Sequence, residues 1–186
     1  MTNTTFTRRT LMRAFAATAV AAAPVMANAT GLLRGAGDIR RLNMYNGRAG
    51  ESLNMIYWIE GEYIAPALEE VNYFMRDWRT DGVIGINLSA VDIMAATHNL
   101  METTEPYTLL SGYRSPETNA LLRRRSSGVA RNSRHMVGEA ADLRMQSRSV
   151  GQMFSAARAC NAGGVGRYSR SNFVHIDCGP VRSWGG

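Results

Sequence analysis

Lysine is absent from this 186-residue chain: all 21 basic residues are arginine, against 15 acids, for a net charge of +6. Arg8, Arg9 and Arg13 precede residue 30, where there is no acid, so the remainder carries only 18 arginines against the 15 acids. That modest excess argues against a nucleic-acid binder. Cysteine is nearly as scarce. Cys160 and Cys178 are too few to frame a disulfide-built mini-fold or a Cys-rich zinc site. No apolar run beyond the N-terminal segment approaches the ~20 residues that span a bilayer. With 45% hydrophobic and 19% charged residues, the composition excludes a fully disordered chain.

The first residues read as an address. Arg8-Arg9 precede an uncharged stretch, Ala14 to Val25, that is almost all Ala, Val, Thr and Phe, and Ala27-Asn28-Ala29 supplies the small residues of a signal-peptidase site. Residues 1–29 are therefore expected to be a twin-arginine-type signal peptide. Export to the periplasm follows, with no stable membrane span after processing. Residues 30–37 are Gly-containing and read as a flexible leader, and 38–186 as a single domain.

Within that domain, Ile39–Tyr45 and Ser52–Trp58 flank a turn-rich Asn46-Gly47-Arg48-Ala49-Gly50 and predict a β-hairpin. Apolar residues at helical spacing predict a helix over Tyr63–Trp78, and Ser89 is the expected cap of a second helix ending near Leu100. Tyr107–Ser111 reads as a strand. Ser115-Pro116 opens a helix to about Arg124. Strands are expected at Ala140–Met145, Gly163–Tyr168 and Phe173–Cys178, with a helix over Val150–Cys160. This irregular order predicts an α+β fold with a central, largely antiparallel sheet flanked by helices.

Histidine is limited to His98, His135 and His175. Two of them stand in segments with other ligand-type residues. A catalytic zinc takes three nitrogen or oxygen ligands and keeps one open position; His135, Asp142 and His175 supply that count. Gly138 permits an unusual turn between the first two. Strand alternation points His175 and Asp177 to one face, with Val174, Ile176 and Cys178 on the other. Taken singly, each histidine is more often structural than a ligand, and His98, in a helix, is expected to have a surface or capping role.

Two ordered motifs resemble a known family. Ser133-x-His135-x-x-Gly138-x-Ala140-x-Asp142 and Phe173-Val174-His175-x-Asp177-x-Gly179 resemble the zinc peptidases related to D-alanyl-D-alanine carboxypeptidases. Those belong with lysostaphin-type enzymes and the hedgehog domain. Ser111-Gly112-Tyr113-Arg114-Ser115-Pro116-x-Thr118-Asn119 and Gly166-Arg167-Tyr168 are similar to the murein endopeptidase K (MepK-like) branch. The resemblance implies a hedgehog/D-Ala-D-Ala-peptidase-like fold and a zinc held by His135, Asp142 and His175. It also implies hydrolysis of peptide cross-links in peptidoglycan by a zinc-activated water, with Arg114 positioning or stabilising the reacting carbonyl. Two alternatives stay open: a D,D- or L,D-carboxypeptidase trimming stem peptides, or a non-catalytic zinc-containing wall-binding protein.

Many carboxypeptidase relatives carry a glutamate base three residues before the second histidine; here that position is Asn172. Asp177 is then the candidate proton acceptor or, alternatively, the partner that orients His175. Glu139 is a weaker candidate. Ser133 could bind substrate backbone or fix its own loop. Cys160 and Cys178 form a candidate disulfide, since an exported location permits oxidation. The arginine run Arg123-Arg124-Arg125 reads chiefly as a solvated helix end.

Overall fold

A computed structural model describes Leu33 and residues 35–185. The expected signal peptide lies outside the described residues. Strands β1 (Ile39–Asn46) and β2 (Glu51–Ile59) form the expected hairpin. Its turn is held by the Asn46 side chain, whose Oδ1 accepts from the Arg48 and Ala49 N–H groups at 3.1 and 3.4 Å. A two-residue strand, β3 (Glu62–Tyr63), extends it. Tyr63 thus belongs to the sheet, and helix α1 covers only Ala65–Phe74, with proline in its first turn. The predicted continuation to Trp78 fails because the chain turns at Asp77, whose backbone bridges to Gly82.

Helix α2 (Leu88–Leu100) is capped by Asn87, not Ser89: Asn87 Oδ1 accepts from the Ser89 N–H at 2.9 Å. Both residue types cap well, so local sequence alone does not choose between them. Strand β4 (Tyr107–Ser111) leads to α3 (Pro116–Arg125), which Ser115 caps as expected. Then follow β5 (Ala140–Arg144), α4 (Val150–Ala159), β6 (Gly164–Tyr168), β7 (Phe173–Asp177) and β8 (Arg182–Trp184). Ser149 and Gln152 form a reciprocal capping box on α4. The last strand was not anticipated, being only three residues long.

The eight strands make one sheet in the order β3-β2-β1-β4-β5-β7-β6-β8. Its pairs are antiparallel except β1–β4 and β6–β8. The α+β architecture with a largely antiparallel sheet is therefore as expected. Leu42, Met44, Leu109, Leu143, Val165, Val174 and Ile176 join Val91, Met94 and Met153 of α2 and α4 in one buried core. Full burial of such a side chain contributes roughly 1.5–3 kcal/mol. Because side chains alternate, the residues between these core positions belong to the opposite face. One register row on that face crosses five strands: Ser111, Asp142, His175, Gly166 and Trp184.

The expected leader is not loose throughout. Ala36 is buried with Ala96 of α2 and Cys160, flanked by Leu33 and Leu100. Small apolar residues there fit against a helix, which outweighs the mobility that two glycines would otherwise bring. Among the described residues no helix is long and apolar enough to cross a membrane.

Candidate metal centre

His135 sits in a 3-10 turn, Arg134–Val137, that ends on Gly138 in the left-handed region at φ +70°. A side chain there would be strained, and its Cβ would come within 2.6 Å of the Gly85 carbonyl oxygen. Glycine thereby lets the chain turn from His135 into β5, which delivers Asp142 opposite His175.

Each imidazole is held by the nitrogen that faces away from this meeting point. His135 Nδ1 donates to the Gly112 carbonyl at 2.7 Å, and His175 Nε2 lies 3.0 Å from Asp177 Oδ2. A proton on each of those nitrogens leaves the other ring nitrogen as a lone-pair donor. His135 Nε2 and His175 Nδ1 are 3.3 Å apart. Asp142 Oδ1 is 3.3 Å from the first and 2.9 Å from the second. Tetrahedral zinc with bonds near 2.0–2.1 Å separates its ligand atoms by about 3.3 Å. The three residues thus fit a metal ion by atom type, spacing and ring orientation.

Charge acts on the three groups in different directions. Burial pushes the His135 imidazole down, outweighing the pull of Asp142, and so favours the neutral form a metal needs. Burial would raise the Asp142 carboxyl, but the two histidines and Arg114 hold it well below the usual carboxylate range. For His175, burial acts downward and is outweighed by Asp142 and Asp177.

Arg114 pairs through NH2 with Asp142 Oδ2 and donates from Nε to Ser111 Oγ at 2.7 Å. Its backbone N–H bonds the His135 carbonyl at 3.1 Å. The arginine singled out in the sequence therefore adjoins the cluster and grips the carboxylate of the candidate ligand set.

Asp177 meets the His175 ring at the nitrogen away from Asp142. It is fully buried and bound to the far nitrogen of His175. Its oxygens also accept from the Gly179 N–H at 2.8 Å, the Gly164 N–H at 3.3 Å and both terminal nitrogens of Arg182. Although burial acts upward, these partners hold its pKa far below the usual range. A carboxylate at this distance from Nε2 restrains the orientation of the His175 ring. Glu139 pairs with Arg134, which also lies 3.5 Å from Asp177.

Ser133 opens the 3-10 turn without a side-chain capping bond, and its carbonyl accepts from the Met136 N–H at 3.0 Å. Cys160 and Cys178 are not joined. Cys160 belongs to the small Ala36–Ala96 cluster, with Sγ 3.4 Å from Thr97 Oγ1. Cys178 packs on the main core, and burial pushes its thiol up to about 11. Separation into two clusters is the physical reason the expected pairing fails. His98 is structural, its Nε2 2.7 Å from the Glu105 carbonyl and its ring edge-on to Tyr107.

Sequence reasoning missed the aromatic wall beside His175. The Trp184 ring centroid is 5.4 Å from that of His175, and its Nε1 donates to Tyr168 Oη at 3.1 Å. Tyr168 in turn stacks on Phe173 at 4.5 Å. The signal was weak: one tryptophan near the C-terminus, with the unforeseen β8 needed to carry it. Gly166 makes room, since a Cβ there would meet the indole at 2.6 Å.

The family model described as peptidoglycan L,D-endopeptidase MepK matches residues 34–184. A protein of Escherichia coli (strain K12) named peptidoglycan L,D-endopeptidase MepK is 41% identical over 145 residues, covering 78% of this chain and 80% of that one. A Haemophilus influenzae protein named probable peptidoglycan L,D-endopeptidase MepK is 38% identical over 149 residues, covering 79% and 80%. With the motif-bearing elements inside the matched span, the chain belongs to the peptidoglycan L,D-endopeptidase MepK family of peptidases.

Proposed function

We propose that this protein is an exported zinc metallopeptidase that hydrolyses peptide cross-links of peptidoglycan. The observation that carries the reading is the convergence of His135 Nε2, Asp142 Oδ1 and His175 Nδ1 within 4.8 Å of one another. Family membership supports the substrate, and the Arg8-Arg9 segment supports delivery to the periplasm by the twin-arginine route.

In this reading His135, Asp142 and His175 hold the ion. A zinc ion, when bound, supplies Lewis-acid polarisation of a carbonyl and a water acidic enough to attack near neutral pH. The protein's own residues do the rest. Gly112 and Asp177 fix both imidazoles in the ligating tautomer, so neither ring must reorient for binding. Arg114 neutralises the outer oxygen of Asp142 and brings a permanent positive charge beside the site of reaction. That charge favours negative charge developing on the scissile carbonyl oxygen. The aromatic wall of Trp184 and Tyr168 limits water on one side and offers an apolar surface to the peptide. In the same reading Ser133, two residues before His135, binds substrate backbone.

The test pairs metal content with digestion of cross-linked wall fragments. Stoichiometric zinc and loss of cross-linked dimers, both abolished by His175→Ala, are the expected results. Zinc binding without cleavage would leave only a wall-binding role.

A further inference from the structure

The loop after α1 gathers arginines that the chemistry above leaves unused. The Arg79 guanidinium carbon lies 4.1 Å from the ring centroid of Trp78, and that of Arg48, in the β1–β2 turn, lies 4.6 Å from it. The loop is anchored next to Arg114 by one buried carboxylate. Asp77 Oδ1 accepts from the Arg79 N–H at 3.1 Å, and Oδ2 from the Ser115 N–H at 2.9 Å. Tyr113 is tied to the same loop, its N–H bonding the Met75 carbonyl at 2.8 Å.

Among the described residues, Arg48, Arg79 and Arg125 form no salt bridge. Asp77 accepts instead from Thr118, Ser115 and the Arg79 N–H. Arg79 feels this imbalance: burial and the positive charges of Arg48, Arg114 and Arg125 together outweigh Asp77 and lower its pKa. Like charges collected without counter-ions cost free energy, which an anionic ligand would recover. A guanidinium resting over an indole still has donors at its rim, in the fork that suits a carboxylate.

We propose that Arg48 and Arg79, resting on Trp78 in the loop anchored beside Arg114, form a subsite for a free carboxylate of the wall peptide. The peptide's scissile bond would then lie at the metal centre; this rests on the peptidase reading above. A second anchor of this kind selects acidic stem peptides over their amidated forms.

The experiment uses the zinc-loaded protein with two cross-linked peptide dimers, one with free carboxylates and one with those groups amidated. One charge-assisted contact is worth about 1.5–3 kcal/mol, so amidation is expected to lower kcat/KM about tenfold or more. In Arg79→Gln and in Arg48→Gln the ratio between the two substrates should shrink toward one. Equal cleavage of both dimers by the unaltered protein would overturn the subsite while leaving the peptidase reading intact, as would variants that lose both substrates equally. Calorimetric binding of the two dimers separates the remaining cases. Tighter binding of the acid form, lost in Arg79→Gln, without any cleavage would uphold the subsite and overturn the peptidase reading. Neither binding nor cleavage would overturn both.

Discussion

Asp177 lies two residues beyond His175 on β7, and its carboxylate meets the imidazole from the side opposite Asp142. Removing its charge while keeping its shape should therefore act on the metal through the ring. Asp177→Asn is expected to weaken zinc affinity by roughly 10–100-fold, the usual effect of losing such a partner. Activity should recover at excess zinc, as read by competition with a chromogenic chelator and by wall-fragment digestion. A catalytic base would behave otherwise, with activity staying low at saturating zinc. Alternation along the strand placed Asp177 on the His175 face in the sequence. Its depth, and its embrace by Arg182 and two backbone N–H groups, depended on β6 and β8 packing beside β7, which no local pattern encodes.

The elements show how far local rules reach. Strands β4 to β7 and helix α4 follow from apolar runs, and α3 from Ser115-Pro116, where cap and sequence position agree. At α2 two cappers compete two residues apart, and the chain uses the earlier. Asn87→Ala should therefore lower stability by about 1 kcal/mol in urea unfolding, whereas Ser89→Ala should change it little. Asp92, one turn into α2, is buried against Tyr57 and Tyr63 at 2.8 and 2.7 Å and paired with Arg40. A turn replaces the last part of α1 for a similar reason: tertiary contacts of Asp77 outweigh helical spacing. Burial pushes that carboxyl up, yet hydrogen bonds from Thr118, Ser115 and the Arg79 N–H hold it below the usual range. A lowered folded pKa means stability that is present above the unfolded value of about 3.9 and lost as pH falls through the folded one. Asp77→Asn should accordingly flatten the acid side of the stability-versus-pH curve, measured by thermal unfolding between pH 2 and 6.

At the scale of the molecule, the proposed ligands come from three separate pieces of chain: the turn before β5, β5 itself and β7. The motifs made these residues legible as a set, but their meeting requires the register row that pairs Asp142 with His175 across the sheet. An ion bound there ties the turn to two central strands and so opposes their separation. The site also has its own internal compensation. Arg114 pairs with Asp142, Gly112 with His135, and Asp177 with His175, so no ligand is left as a lone buried charge when the ion is removed. The fold should therefore survive chelation, unlike a small domain whose core is the metal itself. Zinc at a hundred times its Kd adds about 2.7 kcal/mol to the folded state. For a domain of this size that corresponds to a Tm rise of roughly 5–10 °C. Calorimetry of the chelated and zinc-loaded protein should show two cooperative transitions separated by that interval, both from a folded start. In His175→Ala the interval should collapse, because two remaining ligands bind weakly. A chelated protein without a cooperative transition would instead mean that the metal, not the α2–α4 core, sustains the sheet.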